Sequence, residues 1–351
     1  MDIMPTASLE EKLPAAIAAK KAPALVIKGN FDAATYGSNN IFVPLDDFFD
    51  KTSTNKSDFS QSSLDALKYN GKQLMIPMQV HSTFLYWNKD LFKAAGLDPE
   101  TPPTTWDEVA KDAKKIANAS KKIYGVGFPI SGAPCYFDAM FKSNGGDVVS
   151  EDGKSSVLNS AENLKTLQYI QDLVKTGTAP KGATGADTDN LMLAGQLGIY
   201  CNGPWLVNGL KENKINFGVT AMPSGSKQAA GVIEVQGFGV TSTASEAEKA
   251  AAYDFIAYWN TTAVCKEWSM RNGFPPYLKS VAEDADIKAN AIVNSLSSVS
   301  KFGFTFAPGV KQANQINNDV LFPMIENVIA GNDAKTELTK ASGSIDTLLK
   351  K

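Results

Sequence analysis

The chain has 351 residues, 20% of them charged, and a formal net charge of −3. This length is sufficient for two lobes with separate hydrophobic cores, and the small net charge argues against a partner that is a polyanion. All basic residues except Arg271 are lysine, which disfavours nucleic-acid or phosphate recognition by arginine side chains. The three cysteines (Cys135, Cys201 and Cys265) show neither zinc-site spacing nor the pattern of a disulfide framework.

Short apolar runs bounded by glycine or proline alternate with helix signals along the chain. Such alternation predicts an α/β architecture with covered sheets. No run approaches the roughly 18 to 20 apolar residues of a membrane span. The runs that we predict as strands are residues 24–27, 73–78, 124–130, 198–201, 217–222 and 232–240.

Capping patterns predict where several helices begin. Thr105 and Glu108 form a capping box, as do Ser245 and Glu248. Asn159 can cap a helix that ends near Gly177. Apolar residues are expected in each of these helices and in a last helix at the C-terminal end. They are Val109, Ala113, Ile116 and Ala117 behind Thr105; Leu164, Leu167, Ile170 and Val174 behind Asn159; Ala251, Phe255, Tyr258 and Trp259 behind Ser245; and Leu338, Ile345 and Leu349 in the last helix.

Sequence motifs of catalysis are largely missing. His81 is the only histidine, so a nucleophilic triad would require His81 and partners that no motif marks. The nucleotide-binding and serine-hydrolase glycine motifs do not occur. Residues 187–190 resemble the start of a calcium loop, but Met192 and Gly198 stand where such a loop needs glycine and glutamate, so a helix start is predicted there. We therefore predict no catalytic residues, no cofactor and no metal site.

Residues 84–108 carry the most specific pattern: an apolar strand, a short helix stopped at Gly96, a proline-rich loop and the helix capped by Thr105. This segment resembles the one that opens the second lobe of family 1 extracellular solute-binding proteins, the sugar receptors of bacterial ABC importers. Further segments are similar to the family in the family's order: residues 13–19 with 22–27, 43–48, 195–200 with 203–205, 217–219 with 222–223 and 236–239, and 272–276.

The resemblance implies an α/β, two-lobed fold of the periplasmic-binding-protein type (type II), with the ligand cleft between the lobes. The first lobe would comprise residues 1–80 and 237–281, and the second residues 81–236 and 282–351. Family members begin with a signal segment, a strand and a helix that precede the part resembled here. We therefore expect that this beginning is truncated, removed or divergent, and that the chain acts at the outer face of the cell membrane or in the periplasm.

The resemblance also implies which residues contact the ligand. The tryptophan of the motif Gly203-Pro204-Trp205 would stack on a sugar ring, and His81 would add a polar contact at the first lobe crossover. The alternatives are a buried core tryptophan and a histidine satisfied by the backbone. The full set of expected ligand contacts is Asn30, Phe31, Asp32, Gln79, His81, Ser82, Tyr136, Phe137, Trp205, Glu234, Gln236, Gly237, Phe238 and Phe274.

The function implied is an extracytoplasmic binding protein that delivers a neutral sugar or oligosaccharide to the membrane permease of an ABC importer. It would act as a monomer, as a lipoprotein or free in the periplasm, without binding nucleic acid. One alternative is a glycerol-3-phosphate or phosphodiester receptor, although Asn317 stands where such a receptor has arginine. The other alternative is a carbohydrate-active enzyme that uses Asp32 and Glu234 as its carboxylate pair.

Overall fold

The computed structural model describes residues 6–131, 136–297 and 302–351. Its strands are β1 (Leu25–Gly29), β2 (Lys68–Tyr69), β3 (Lys72–Gln73), β4 (Met75–Ser82), β5 (Phe84–Asn88), β6 (Tyr124–Gly127), β7 (Leu197–Asn202), β8 (Phe217–Ala221), β9 (Gly231–Val240) and β10 (Gly303–Phe304). Its helices are α1 (Thr6–Ala18), α2 (Ala33–Ser38), α3 (Phe48–Lys51), α4 (Gln61–Asp65), α5 (Lys89–Ala94), α6 (Trp106–Ile116), α7 (Tyr136–Ser143), α8 (Ala161–Lys175), α9 (Gly185–Leu193), α10 (Leu206–Glu212), α11 (Glu246–Trp259), α12 (Thr262–Asn272), α13 (Lys279–Ala282), α14 (Ala285–Ala289), α15 (Ala291–Ser297), α16 (Ala313–Gln315), α17 (Phe322–Ala330) and α18 (Ala334–Leu349).

The chain divides into two compact units, and each unit collects separate stretches of sequence. Unit 1 contains the described residues up to Val80 together with Glu234–Ser269 and Pro276–Lys288. Unit 2 contains Met270–Pro275 and the described residues of His81–Ile233 and Ala289–Lys351. The chain thus first leaves unit 1 within β4 and first re-enters it within β9, and it crosses between the units again after Ser269, Pro275 and Lys288. The lobe limits expected from the sequence stay a prediction.

The sheet of unit 1 is organised around β9. Strand β1 pairs with β9 in antiparallel register, with Ile27 opposite Phe238 and Gly29 opposite Gln236, and β4 also pairs with β9. The core beside this sheet is formed by large apolar side chains that come from well-separated parts of the chain. Its buried members are Leu45, Phe48, Ile76, Met78, Phe238, Val240, Ala252, Tyr253 and Ile256.

Helix α11 begins where it was predicted, but its buried face is different. Ser245 and Glu248 form the expected capping box. The buried residues are Ala252, Tyr253 and Ile256, whereas Tyr258 is 65% exposed. Of the four apolar residues expected behind this cap, Trp259 packs against the core of unit 1, whereas Ala251, Phe255 and Tyr258 are exposed. Two neighbouring stripes of this helix are apolar, so its sequence periodicity does not select one of them.

The sheet of unit 2 has the order β6-β7-β5-β8. Strand β5 is antiparallel to both β7 and β8, and β6 is parallel to β7. The predicted strand 124–130 is shorter in the structure, because β6 ends at Gly127. Strand β7 is buried along its whole length and leads directly to the Gly203-Pro204-Trp205 motif, which precedes α10.

The helix starts of unit 2 follow local capping chemistry. Thr105 and Glu108 form the predicted box at α6, and Trp106 is packed at 5% exposure. Helix α8 is capped by Ser160 and not by Asn159, because the Ser160 side chain accepts the backbone N–H of Asn163. The helix start predicted at residues 187–190 is α9, capped by Thr184.

Candidate functional site

One group of predicted ligand residues lies in unit 1, where β1 ends beside β9. A turn of 3₁₀-helix, Asn30–Asp32, follows β1 directly. The buried side chain of Asn30 accepts a hydrogen bond from the backbone N–H of Val235 at 2.9 Å. This bond ties the turn to β9, so the residues of the turn have a fixed position relative to Glu234 and Gln236.

Three side chains of this group form a directed chain of hydrogen bonds. Gln79 Nε2 donates to Gln236 Oε1 at 3.0 Å, and Gln236 Nε2 donates to Glu234 Oε1 at 3.0 Å. Within the described residues, the buried Oε1 atom of Gln79 has no hydrogen-bond partner. Because a buried acceptor without a partner is costly, Gln79 Oε1 is suited to accept a hydrogen bond from a hydroxyl group of a ligand.

Charged residues of unit 1 include one that the sequence analysis missed. Lys28 Nζ lies 3.1 Å from Asp32 Oδ2, with the two side chains only 2% and 10% exposed. The same ammonium group lies 5.3 Å from the centre of the Tyr36 ring. Burial raises the pKa of Glu234, while its bond from Gln236 and the charge of Lys28 act in the opposite direction. Alternation along β1 could have revealed Lys28, since it shares a face with the buried Val26.

The remaining predicted residues of unit 1 differ in their surroundings. Phe31 is partly buried in the turn after β1. Phe238 is a core residue whose ring packs edge-on against Phe255 at 5.6 Å. A Cβ atom at Gly237 would lie 2.6 Å from Leu67 Cδ1, so protein atoms occupy the space that this glycine leaves. The expected contacts of Gly237 and Phe238 with a ligand stay a prediction.

A second group of predicted residues lies in unit 2 and is largely aromatic. His81, near the end of β4, is 4% exposed. Its ring centre lies 5.3 Å from that of Trp205 at an interplanar angle of 80°, and 5.7 Å from that of Phe274 at 78°. Burial lowers the pKa of His81 to about 4, so the imidazole is neutral near pH 7. The structure thus brings together three residues that are far apart in sequence.

Trp205 is the most exposed member of this aromatic group. Its backbone occupies the capping position of α10, and 40% of the residue surface is accessible. The alternative of an ordinary buried core tryptophan does not describe a residue with this exposure. An accessible indole held beside a neutral imidazole can stack on the apolar face of a ring-shaped ligand.

Polar groups next to His81 extend the second group. The hydroxyl groups of Ser82 and Thr83 are buried and have no hydrogen-bond partner in the described part of the chain. Thr83 was not predicted from the sequence. Phe137 is 4% exposed and packs edge-on against Phe322 at 6.3 Å. The backbone of Tyr136 begins α7, but its side chain lies outside the described residues.

Neither a metal cluster nor a membrane-spanning helix is found in the described part of the chain. Among the residues that the structure describes, no group of three or more histidine, cysteine, aspartate or glutamate side chains could hold a metal ion. None of the described helices has both the length and the apolar character that crossing a membrane requires.

Each of the two units combines a β-sheet with helices, so the chain is a two-unit protein of the α/β class. The sequence profile of bacterial extracellular solute-binding proteins matches residues 2–294. The chain belongs to this family, and the predicted family is confirmed.

Individual relatives cover the chain to different extents. A binding protein from Brucella abortus (strain 2308) is 27% identical over 363 residues, which are 100% of this chain and 85% of the relative. The maltotriose-binding protein of Pyrococcus abyssi is 24% identical, with 81% of this chain and 61% of the relative covered. The sn-glycerol-3-phosphate-binding periplasmic protein of Agrobacterium fabrum is 29% identical over a shorter match, 44% of this chain and 37% of that protein.

Solved structures confirm the predicted fold class. An ABC transporter solute-binding protein from Thermotoga lettingae, bound with α-D-tagatose, matches with a TM-score of 0.89 at 20% identity, covering 98% of this chain and 89% of its own. A solute-binding protein from Agrobacterium radiobacter K84, in complex with ribitol, matches with a TM-score of 0.87 at 25% identity, covering 99% and 90%. The chain therefore has the two-lobed fold of periplasmic solute-binding proteins.

Proposed function

We propose that the chain is the substrate-binding protein of an ABC importer and that its solute is a neutral sugar or oligosaccharide. The observation that carries this proposal is the exposed indole of Trp205 beside the neutral imidazole of His81. A sugar ring has an apolar face, which stacks on an aromatic plane, and a rim of hydroxyl groups, which need both donors and acceptors.

The polar residues of both groups suit such a rim. In unit 1 the Gln79 and Gln236 amides and the Asp32 and Glu234 carboxylates are mostly hydrogen-bond acceptors for hydroxyl groups. In unit 2 the hydroxyl of Ser82 can donate or accept. We propose that both groups contribute to sugar affinity. The relatives named for maltotriose and crystallised with tagatose or ribitol support a polyhydroxylated solute.

A receptor for glycerol-3-phosphate is the second candidate, because a relative named for that ligand matches part of the chain. A phosphate group requires compensation of its charge. In unit 1 the buried Lys28 already pairs with Asp32, and Glu234 lies close enough for its pKa to respond to Lys28. These carboxylates oppose a second anion, so the neutral sugar remains the favoured solute.

An enzymatic function with Asp32 and Glu234 as catalytic carboxylates is disfavoured by their contacts. Asp32 is held by Lys28, and Glu234 Oε1 accepts from Gln236. The relatives from Brucella, Pyrococcus and Agrobacterium are all named as binding proteins. We further propose that the chain acts as a monomer outside the cytoplasm, docks on permease subunits in its liganded form, and binds no nucleic acid.

Calorimetric titration with maltose, maltotriose, tagatose, ribitol and glycerol-3-phosphate tests the choice of solute. We expect binding of at least one neutral compound, and a ligand present at 100 times its Kd should also stabilise the fold by about 2.7 kcal/mol. The titration is repeated with Trp205→Ala, which should weaken binding. Tyr258→Ala is the matched control, because Tyr258 is an exposed aromatic residue of α11 outside both groups. Tight binding of glycerol-3-phosphate alone, or cleavage products from an oligosaccharide, would contradict the proposal.

A further inference from the structure

Gly203 lies directly under the indole ring of Trp205. A Cβ atom at Gly203 would lie 2.1 Å from both Cη2 and Cζ3 of Trp205 and 2.5 Å from Cε3. Such distances are far below van der Waals contact, so the six-membered part of the ring rests on the glycine backbone. Gly203 thereby covers part of the indole, while the residue as a whole keeps 40% of its surface accessible.

The backbone of Gly203 is fixed on both sides by buried side chains. The hydroxyl of Tyr86 donates to the Gly203 carbonyl at 2.9 Å, and the Gly203 N–H donates to Asn202 Oδ1 at 2.8 Å. Asn202 Nδ2 in turn donates to Asp189 Oδ1 on α9 at 2.7 Å. Tyr86 and Asn202 are 0% and 1% exposed, so these bonds are formed in the interior of unit 2.

This arrangement decides which part would move if Gly203 carried a side chain. The glycine backbone has both of its polar groups bound in the interior, and breaking those bonds would leave buried groups unsatisfied. The indole, in contrast, belongs to a partly exposed side chain that can rotate towards solvent. Gly203 also has an ordinary negative or extended φ, unlike the ten glycines with positive φ among the described residues, so alanine fits its backbone conformation.

We propose that Gly203 is a positioning residue of the sugar site, and that the bonds from Tyr86 and from Asn202 with Asp189 make its backbone a rigid support for the Trp205 indole. This inference rests on the proposed function of Trp205 as a stacking surface. Its consequence is that the absence of a side chain at residue 203, and not only the presence of tryptophan at residue 205, sets the affinity for sugar. A ring displaced by even part of its width loses contact with the ligand.

The test combines Gly203→Ala, Trp205→Ala and the double variant. With the compound that binds most tightly among maltose, maltotriose, tagatose and ribitol, Gly203→Ala should weaken binding at least about 10-fold, the equivalent of about 1.4 kcal/mol. In the Trp205→Ala background the same substitution should change affinity by less than about twofold, because Gly203 acts through the indole. Equal effects in both backgrounds would overturn the inference.

A measurement without ligand tests whether Gly203 positions the Trp205 indole independently of whether the protein binds sugar. The fluorescence of Trp205 is obtained as the difference between each protein and its Trp205→Ala counterpart. Acrylamide should quench this fluorescence more strongly in Gly203→Ala, because the displaced indole is more accessible. Unchanged quenching would overturn the inference even if binding weakened. If Trp205→Ala leaves sugar affinity intact, the proposed role of Trp205 is wrong, and the quenching comparison alone still decides whether Gly203 positions the ring.

Two further variants control for folding. Gly343→Ala in α18 also belongs to unit 2, but an added Cβ there meets no atom within 4 Å, so it should alter neither quenching nor affinity. Tyr86→Phe removes only the hydroxyl that holds the Gly203 carbonyl. It should change quenching and affinity in the same direction as Gly203→Ala, and an unchanged Trp205 signal in a folded Tyr86→Phe protein would count against the support network.

Discussion

The buried imidazole of His81 makes the stability of the protein depend on pH in a way that can be calculated. In the folded chain, burial lowers the pKa of His81 from 6.5 to about 4. A pKa difference of this size corresponds to about 3 kcal/mol between the two protonation states. Replacing the residue by glutamine (His81→Gln) removes the titrating group and keeps a polar side chain of similar reach.

The direction of the effect follows from which state binds the proton. Between pH 6.5 and about 4, the imidazole is protonated in the unfolded chain but neutral in the folded chain. The contribution of His81 to the free energy of unfolding is therefore fully present above pH 6.5 and is lost as the pH falls towards 4. Between pH values of about 7.5 and about 4.5, the loss due to His81 should be about 2 to 3 kcal/mol.

Urea unfolding of the parent protein and of His81→Gln at these two pH values measures the effect. Carboxylates titrate in both proteins, so the comparison isolates His81. Because His81 is the only histidine, a single imidazole resonance in a proton NMR titration reports its pKa directly. A midpoint near 6.5, or an equal pH dependence of stability in the two proteins, would refute the description of His81 as a buried neutral group between Trp205 and Phe274.

Three further outcomes follow from the structure. Trp205→Ala should weaken sugar binding by about 2 to 4 kcal/mol in calorimetry and leave the melting temperature nearly unchanged; the reverse result would identify Trp205 as a core residue. Asp32→Asn should lower the free energy of unfolding by about 3 to 5 kcal/mol, since Lys28 would lose its buried counter-charge, and a loss below about 1 kcal/mol in urea unfolding would mean that this pair is solvent-screened. Affinity for a neutral sugar should not change as salt is raised to about 0.5 M, whereas a marked weakening would indicate an ionic contact with the ligand.

Features set by neighbouring residues could be predicted from the sequence. The capping boxes of Thr105 and Ser245 form as expected, because each needs only a hydroxyl and a carboxylate three residues apart. At α8 the sequence indicated Asn159 as the cap, but the side chain of the next residue, Ser160, makes the capping hydrogen bond. At α11 three of the four apolar residues expected behind the cap are exposed, since two apolar stripes of this helix could be distinguished only by what packs against them.

Residues that act through tertiary contacts could be predicted only in part. The Gly-Pro-Trp motif indicated Trp205 correctly as a residue at a helix start, because proline and the preceding strand define that position locally. Lys28 was missed because its ion pair with Asp32 matters only once the alternation along β1 is used to place Lys28 on the buried face of the strand. A motif in a single sequence identifies a residue such as Trp205. It does not identify a buried charged residue such as Lys28, whose role depends on its partner in the folded chain.

Two glycines show why tertiary contacts limit what can be predicted from the sequence. At Gly237 the atom nearest to the missing Cβ is Leu67 Cδ1, which belongs to the packed interior of unit 1. Gly203 is visible in the sequence only as part of a motif, yet its missing Cβ is what allows the Trp205 ring to occupy its place. Both residues look alike in sequence, since each follows or lies within an apolar strand. A glycine that serves packing differs from one that positions a ligand-binding side chain in which atom fills the space of its missing Cβ. For Gly203 that atom belongs to Trp205, two residues away, but for Gly237 it belongs to Leu67, in a distant part of the chain.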